Sequence, residues 1–297
     1  MFAARLLAIA LLPAASADAE CELGDVVTTP VVFAGANRVP VITGTLNGQP
    51  FRFKLNSSDS ATTLNRAAVE KLGLNVRTTA TNYVGVDVLS VFTDKVTAGA
   101  VTRSGEFIVL DRTGDLYDGK LGGTMLLRSD LELAFADGYI RQSNPRGCIR
   151  SFLATWDPGA TVVSFTSDQQ HGDLRPWFWV TINGTKVKST IGTDMPYTMI
   201  DAKTAARLGL SHDMPGAQAD GEVTGWRGKR QKLSKVPADV SIGSSAVKKA
   251  MVRIVDMDLS GEVMVLGADF LRANRVLISM SQRKLYITPL KSVLFDE

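Results

Sequence analysis

Hydrophobic and polar residues alternate along this chain in short runs, and runs of the same kind occur in the same order twice. Alternation with a period of two predicts β-strands, whereas apolar residues at helical spacing predict short helices at 63–72 and 201–208, each followed by a glycine that is a helix stop signal. A second short helix is predicted in each repeat, after Leu121-Gly122 and after Leu266-Gly267. The predicted strands cover 29–33, 38–45, 51–55, 83–92, 105–110, 131–140, 161–165, 177–182, 186–191, 238–242, 251–255, 276–280 and 284–287. The pattern therefore predicts an all-β protein.

The chain contains an internal duplication. Between Asn47 and Leu74 it has an Asn-Gly turn, a strand, a small polar loop and a helix that ends in Leu-Gly-Leu. The segment from Asn183 to Leu210 repeats these features with a constant offset of 136 residues (183 − 47). A constant offset through a hairpin, a loop and a helix predicts two lobes of the same fold.

A second apolar motif extends the repeat and defines its limits. Leu121-Gly122 recurs at Leu266-Gly267 with an offset of 145 (266 − 121), so the second copy is longer. We therefore divide the chain into a first repeat at 20–144, a linker at 145–174 that is rich in proline and glycine, and a second repeat at 175–297.

Composition and charge place the chain among folded globular proteins. At 297 residues, with 45% hydrophobic and 21% charged residues, it is long enough for two cores. A net charge of +3 gives no reason to expect nucleic acid as a partner, and no basic helix or aromatic platform is present. The basic clusters at 229–235 and 248–249 are interpreted as solvated surfaces.

The N-terminus has the pattern of a secretory signal peptide. Residues 1–19 contain an early Arg5, an apolar run from Leu6 to Leu12 and small residues suited to cleavage. Cys21 also raises the alternative of a lipoprotein anchor, but Glu20 is a poor fit to the small residue that such processing needs. We expect an exported protein, periplasmic or secreted, with no membrane span because no later apolar run is long enough.

Two cysteines and two histidines limit the covalent and metal chemistry. In an oxidising compartment Cys21 and Cys148 can form a disulfide that ties together the ends of the first repeat, stabilising it by about 4 kcal/mol; two free thiols are the alternative. His171 and His212 lie too far apart in sequence for metal-ligand spacing. The chain also lacks a glycine-rich phosphate motif, so we expect neither a metal nor a cofactor.

The order of these motifs resembles that of retropepsin-type aspartic proteases. Such a unit has an Asn-Gly hairpin, an apolar strand, an Asp-Thr/Ser-Gly loop, a helix ending in Leu-Gly-Leu, a flap hairpin and a Leu-Gly-x-Asp-Phe-Leu segment. The segment Val265–Arg272 is similar to the last of these, and 121–126 is similar to it more loosely. Two such units in tandem resemble a pepsin-like protease, which implies a two-lobed acid-protease fold.

The resemblance also implies where catalytic groups would lie. The family uses one Asp from each unit, and the two acids share a proton so that one acts as base and the other as acid. Here the corresponding positions are Asn56 and Gly192, so the dyad is absent on both sides. Ser57 and Thr193 keep the hydroxyl that in the family braces the two loops together.

Other residues could in principle restore activity. Asp59 and Asp194 lie in the same loops and would form a displaced dyad only if both carboxylates converged on one water. The alternative is that each caps a turn or the following helix. Ser57 or Ser60 as a nucleophile would need a histidine, and none is near in sequence.

Aromatic and glycine residues mark the expected flaps. Contact with an extended peptide and ordinary packing are both open for these residues, which are Tyr83, Gly85, Gly225 and Trp226. Trp177 and Trp179, which flank Phe178, are expected to pack the second lobe or the interface between the lobes.

Three functions follow as hypotheses. The first is an exported, catalytically inactive retropepsin-like relative that binds peptide or protein segments in the cleft between its lobes. The second is a working aspartic endopeptidase that uses Asp59 and Asp194, and the third is a structural interaction module of the cell envelope. Because the unit is duplicated within one chain, a monomer would be sufficient for each.

Overall fold

The computed structural model describes residues 20–83, 86–111, 116–224, 230–256, 263–291 and 295. The predicted signal peptide at 1–19 and the flap residues Gly85, Gly225 and Trp226 lie outside these ranges.

Most of the regular structure is β-strand. The strands of the first half are β1 Val27–Pro30, β2 Val32–Ala34, β3 Val39–Leu46, β4 Gln49–Leu55, β5 Thr63–Asn65, β6 Arg77–Tyr83, β7 Val86–Ala98, β8 Val101–Leu110, β9 Gly119–Leu121, β10 Asp130–Ala134 and β11 Tyr139–Ser143. Those of the second half are β12 Thr161–Ser164, β13 Thr166–Asp168, β14 Asp173–Ile182, β15 Thr185–Ile191, β16 Met199–Asp201, β17 Gln218–Thr224, β18 Arg230–Ile242, β19 Ser245–Val255, β20 Met264–Leu266, β21 Asn274–Ser279 and β22 Lys284–Pro289. The helices are α1 Arg66–Lys71, α2 Gly123–Leu126, α3 Ala202–Arg207 and α4 Ala268–Ala273, with 3₁₀ turns at Phe135–Asp137 and Gln169–His171.

The first lobe is built on an eight-stranded sheet in the order β2-β3-β4-β9-β5-β8-β7-β6. Additional pairing of β3 with β7 partly closes the sheet on itself, which gives it a barrel-like shape. Alternation in β4 buries Phe51, Phe53 and Leu55 in the core, as the sequence pattern predicts. Asn47 and Gly48 both have positive φ, which a two-residue hairpin turn of this type requires.

The second lobe repeats this arrangement strand for strand. Its eight-stranded sheet has the order β13-β14-β15-β20-β16-β19-β18-β17, with β14 also pairing with β18. The turn at Asn183-Gly184 has φ values of 48° and 81°, against 48° and 83° at Asn47-Gly48. The two-lobed, mainly β architecture predicted from the duplication is therefore present.

Each lobe inserts a short apolar strand between two strands that follow one another in sequence. In the first lobe β9 pairs in parallel with β4 and antiparallel with β5. In the second lobe β20 pairs in the same way with β15 and β16. In each lobe the inserted strand pairs with the strand before the polar loop and with the strand after it. It therefore holds both ends of the loop, which follows β4 in the first lobe and β15 in the second.

A third sheet joins the lobes. It has six strands in the order β1-β11-β10-β21-β22-β12, so both halves of the chain contribute to it. Leu131 of β10 lies opposite Ile278 of β21 at the centre of this sheet. Both side chains are fully buried, and the lobes therefore share one continuous core.

The predicted linker at 145–174 differs from a simple connector. It contains β12, which was predicted, together with β13 and the start of β14. β12 is an edge strand of the shared sheet, where it pairs with β22. The proline and glycine residues therefore punctuate an ordered segment and do not separate two independent domains.

The helix predicted at 63–72 is shorter than expected, whereas the one predicted at 201–208 differs by only one residue at each end. The segments at 63–65 and 199–201 are buried strands that pair in parallel with β8 and β19, and the helices begin only at Arg66 and Ala202. Helical spacing and a short buried strand cannot be distinguished over so few apolar residues, and the neighbouring strands decide the outcome.

A disulfide joins Cys21 to Cys148 across 127 residues, as the sequence suggested. Beside it, the backbones of Glu22 and Arg146 exchange two hydrogen bonds of 3.0 and 2.8 Å. Such a bond is compatible with an exported protein. No helix within the described ranges is long and apolar enough to cross a membrane.

Candidate functional site

The candidate site is formed by two loops that meet where the lobes join. Loop 1 comprises residues 56–62 after β4, and loop 2 comprises residues 192–198 after β15. Their first residues are held alike: the Asn56 N–H donates to the Leu121 carbonyl and the Gly192 N–H to the Leu266 carbonyl, both at 2.9 Å. The duplicated sequence thus places both loops by the same backbone contacts to the inserted strands.

Ser57 and Thr193 join the two loops by reciprocal hydrogen bonds. The Ser57 N–H donates to Thr193 Oγ1 at 3.0 Å, and the Thr193 N–H donates to Ser57 Oγ at 3.2 Å. Ser57 Oγ in turn donates to the Ile191 carbonyl at 2.6 Å. Both residues are fully buried, so neither backbone donor has water as an alternative partner. The brace inferred from the sequence thus corresponds to a buried, two-way contact.

These contacts also bear on Ser57 as a nucleophile. Its hydroxyl is inaccessible, and its proton is directed to a carbonyl that cannot act as a base. The two histidines lie elsewhere, with His171 Nδ1 beside the Asp168 carboxylate and His212 Nδ1 2.9 Å from Ser234 Oγ. Among the hydrogen bonds of the described ranges, none joins a histidine to Ser57 or Ser60.

The side chain of Asn56 accepts hydrogen bonds from other residues of loop 1. Its Oδ1 accepts hydrogen bonds of 3.1 Å from the Ser58 N–H, the Ser58 hydroxyl and the Asp59 N–H. The side chain is nearly buried and therefore stabilises the turn. An amide in this position keeps the geometry of an acceptor but cannot take a proton from water.

Gly192 lies where a side chain would not fit. A Cβ atom added to this residue would be 2.6 Å from Val265 Cγ1 and 3.0 Å from Met195 Cγ. It would also lie 3.4 Å from Ser58 Cβ across the junction of the lobes. The space that a second catalytic carboxylate would need is therefore filled by Val265 and Met195.

The two loop carboxylates are each paired with their own lysine. Asp59 forms an ion pair with Lys120 and accepts a 3.1 Å hydrogen bond from the Ala61 N–H. Asp194 accepts a 3.1 Å hydrogen bond from Ser58 Oγ and lies 3.4 Å from Lys54 Nζ. Each acid thus forms its contacts with a lysine and with donors of the loops, and this pairing supports a structural role for both.

The lysines were not recognised as site residues from the sequence. Lys54 alternates with the buried Phe53 and Leu55 of β4, as Arg52 does, and has no separate signal in the sequence. Lys120 interrupts the short apolar strand β9, and this interruption is the signal that could have identified it. Both are poorly exposed, which is unusual for lysine unless it is paired. Their positions in the second repeat are Thr190 and Val265, so only the first lobe brings lysines to the loops.

A cluster from the second lobe covers loop 1. The Arg175 guanidinium forms an ion pair with Asp173 and donates to the Ser58 carbonyl at 3.4 Å. Burial alone would raise the pKa of Asp173, but hydrogen bonds from Arg175 and Trp177 outweigh it and lower the pKa. The Arg175 guanidinium and the Lys188 ammonium lie 4.8 and 4.5 Å from the centroid of the Trp177 ring.

The three consecutive aromatic residues of β14 lie in different environments. Trp177 lies in the cluster near the junction, and Phe178 is buried in the second lobe, as expected. The expectation that Trp179 packs is wrong, because this side chain is 56% exposed. Successive residues of a strand point to opposite faces, and Phe178 and Val180 take the core face.

Loop 2 rests on a buried acidic network. Asp269 Oδ1 accepts from the Thr198 N–H, the Thr198 hydroxyl and the Phe270 N–H at 2.7 to 2.8 Å. Its other oxygen lies 3.4 Å from the Arg253 guanidinium, which also pairs with Asp220 at 2.6 Å. Burial raises the pKa of Asp269, while these hydrogen bonds and Arg253 act in the opposite direction.

The flap residues are described only in part. Tyr83 ends β6 and pairs with Val86 across the hairpin, and the orientation of its side chain is outside the description. The other three predicted flap residues lie outside it altogether. β6 and β17 are edge strands of their sheets, so each hairpin leaves one backbone edge without a sheet neighbour.

No metal-binding cluster of histidine, cysteine or acidic residues occurs within the described ranges. A comparison with protein-family models and with curated proteins found no match to this chain.

Proposed function

We propose that this chain is a non-catalytic relative of retropepsin-like aspartic proteases that binds an extended peptide or protein segment between its lobes. The observation that carries the proposal is the pair of braced loops, in which Asn56 and Gly192 occupy the two positions where that family has aspartates. The scaffold of a two-acid site is retained while the acids are replaced.

The repeated strand insertion supports the relationship to that family. β9 and β20 are inserted in the same way, both lobes lead into loops at one junction, and a sheet shared by the lobes lies beneath. Fold similarity alone does not assign a function, so the argument depends on the chemistry of the loops.

That chemistry argues against peptide hydrolysis. Hydrolysis by this class needs one ionised and one protonated carboxyl group on a common water. Asn56 offers only an amide, and Gly192 has no side chain and no space for one. The endopeptidase alternative would require Asp59 and Asp194 to leave their lysine partners, Lys120 and Lys54.

The strand edges support binding of an extended segment. β6 and β17 each form hydrogen bonds with only one neighbouring strand, so their outer edges can accept the backbone of a further strand. Alternate side chains of such a segment would then point toward the loops and away from them. This mode gives broad selectivity, because most of the contacts are made by the backbone.

Binding is tested with the chain from residue 20 onward and a library of unstructured peptides of eight to twelve residues. We expect saturable binding, with new protection from hydrogen exchange confined to β6 and β17. Trp226→Ala is expected to weaken binding about tenfold, as loss of an aromatic contact does. Trp179→Ala, an exposed tryptophan of the same lobe, is the matched control.

The outcomes separate the three hypotheses. Protection elsewhere, or no saturable binding, would favour the structural envelope module over the peptide cleft. Cleavage of denatured protein between about pH 3 and 7 that is blocked by an aspartic-protease inhibitor and abolished by Asp59→Ala or Asp194→Ala would establish the endopeptidase instead.

Export is part of the proposal. The disulfide between Cys21 and Cys148 is compatible with an oxidising compartment, and residues 1–19 have the pattern of a signal peptide. N-terminal sequencing of protein recovered from the periplasm or medium is expected to begin near residue 18 or 20. Recovery of the uncleaved chain from the cytoplasm would contradict this.

A further inference from the structure

A cavity of about 610 Å³ lies beside the shared sheet and is lined by both halves of the chain; one lining residue, Thr124, also donates to the Ser60 carbonyl of loop 1. Its wall brings together α2 and the turn after it, the start of β10, the segment after β11, the 3₁₀ turn before β14, the start of β14 and the residues that follow β21. A volume of this size lies within the range of roughly 300–1,000 Å³ that is typical of small-molecule sites. It therefore requires no rearrangement of the backbone to admit a ligand.

The charge of the cavity wall is unbalanced. Arg128 and Arg146 both line it, and no acidic side chain within the described ranges forms an ion pair with either. Arg128 Nε donates to the Thr124 carbonyl at 2.8 Å, which orients the guanidinium and leaves its two terminal nitrogens for a ligand. The backbone of Arg146 is held by Glu22 beside the disulfide.

Asp130 is the one acidic residue among those that line the cavity, and it already accepts hydrogen bonds from serine donors. Asp130 Oδ2 accepts hydrogen bonds from the Ser279 and Ser281 hydroxyls at 2.7 and 2.9 Å. Its Oδ1 accepts from the Ser281 N–H at 2.8 Å. Because these donors occupy both oxygens, Asp130 does not compete with a bound anion for the arginines.

The remaining wall is partly apolar. Leu174 and Met280, which are only partly buried, provide carbon surface beside the two arginines. Arginine binds carboxylate and phosphate oxygens through paired N–H donors, and alkyl groups are favourably buried against carbon surface. The wall is therefore complementary to a molecule with one charged end and one apolar end.

We propose that this cavity binds a small amphiphilic anion, whose carboxylate or phosphate is held by Arg128 and Arg146 and whose alkyl part lies on Leu174 and Met280. The same chemistry is offered by a fatty acid, by an alkyl phosphate or by the free C-terminus of a short apolar peptide. The proposal is independent of the peptide-binding function proposed above, since it involves different residues.

The experiment compares probes that share an alkyl chain but differ at the charged end. Decanoate, decyl phosphate and decanol are titrated below their aggregation limits into the oxidised chain from residue 20, using calorimetry. A tetrapeptide with a free carboxylate is compared with its amide to test the peptide source. Methyl-labelled methionine NMR locates the site, with the Met280 signal assigned by Met280→Leu.

We expect 1:1 binding of at least one anion, with decanol weaker by about tenfold or more. The Met280 signal should shift with the same concentration dependence. Arg128→Gln combined with Arg146→Gln is expected to reduce binding of the anion to the level of decanol. Arg103→Gln, which changes an exposed arginine of β8, is the matched control and should have no effect.

Whichever anion binds most tightly identifies the source of the ligand. The proposal is overturned if no anion binds, if decanol binds as tightly as the anions, or if binding leaves the Met280 signal unchanged. It is also overturned if the double arginine variant keeps its thermal unfolding temperature and full affinity. A folded double variant that loses only the anions supports it.

Discussion

Loop 1 and loop 2 leave equivalent strands of the two lobes, yet the residues beneath them differ in charge and burial. Under loop 1, Thr124 Oγ1 donates a single 2.8 Å hydrogen bond to the Ser60 carbonyl. Under loop 2, the equivalent residue is Asp269, which accepts three hydrogen bonds and faces Arg253. One lobe thus anchors its loop with a hydroxyl and the other with a buried ion pair.

The comparison distinguishes the contacts that position the loops from the residues at the first position of each loop. The Gly122 and Gly267 N–H groups both donate at 3.0 Å to a threonine of their loop, Thr62 and Thr198. These equivalent contacts hold in both lobes, although the residues at the first loop position are a buried amide and a glycine. The contacts to the inserted strands therefore hold both loops, whether the first loop residue is an asparagine or a glycine.

The largest expected effect tests the different anchors directly. Asp269→Ala should destabilise the protein by about 3–5 kcal/mol, because it removes the acceptor of three hydrogen bonds and leaves Asp220 as the remaining ion-pair partner of the buried Arg253 within the described ranges. Thr124→Ala, the matched change in the first lobe, should cost only about 1 kcal/mol. Urea unfolding measures both, and equal costs would show that the two anchors are energetically equivalent.

Asn56 and Gly192, the first residues of loops 1 and 2, should also respond differently to substitution. Gly192→Asp is expected to cost about 3 kcal/mol, because it overpacks Val265 and Met195 and buries a carboxylate. Asn56→Asp also buries a carboxylate but should cost less, because it adds no volume and three donors already point at this position. Adding Val265→Ala should recover part of the loss in the first variant; a further loss would contradict the steric explanation.

The brace should couple the lobes energetically. Ser57→Ala and Thr193→Val each remove the acceptor of a buried N–H group and should each cost about 2 kcal/mol. Because each residue is the other's partner, the double variant should cost less than the two losses added together. A double-mutant cycle by chemical denaturation measures this coupling, and strict additivity would argue against a reciprocal brace.

The smallest effect is a pH dependence confined to the first lobe. Burial works to raise the pKa of Asp118, but hydrogen bonds from Arg52 outweigh it and lower the pKa. The contribution of this pair is therefore present above the pKa of the unfolded carboxyl and is lost as the pH falls through the folded value.

Asp118→Asn should cost less than about 1 kcal/mol at pH 7, because Arg52 is half exposed. The difference from the unchanged chain should disappear near pH 2. The equivalent residue of the second lobe is Val263, which does not titrate. A difference that grows on acidification would have the wrong sign for this explanation.

The duplication made much of the fold predictable. The Asn-Gly turns, the alternating strands and the Leu-Gly motifs have strong local signals, and their repetition located both loops. Asn56 and Gly192, and the hydroxyls of Ser57 and Thr193 that join the loops, could also be named from their place in the repeat.

The remaining contacts depend on pairing between distant segments. Whether 63–65 is a helix turn or a strand is decided by β8, and the order of the shared sheet is decided by both halves at once. The roles of Lys54, Lys120 and Arg175 depend on side chains that meet across the junction. The local pattern of apolar and polar residues does not predict which side chains of distant segments come into contact.

The shared sheet has a consequence for how the chain reaches its native state. Ser279 and Asp130, which are bonded in that sheet, are 149 positions apart, so the bond cannot form until nearly the whole chain is available. Contacts of such long range slow folding, because loop closure must precede any gain from pairing. A half chain ending near residue 150 would expose the β10 edge that β21 normally covers, and such an edge invites aggregation. Although the two halves have the same strand order, we expect that neither half folds without the other.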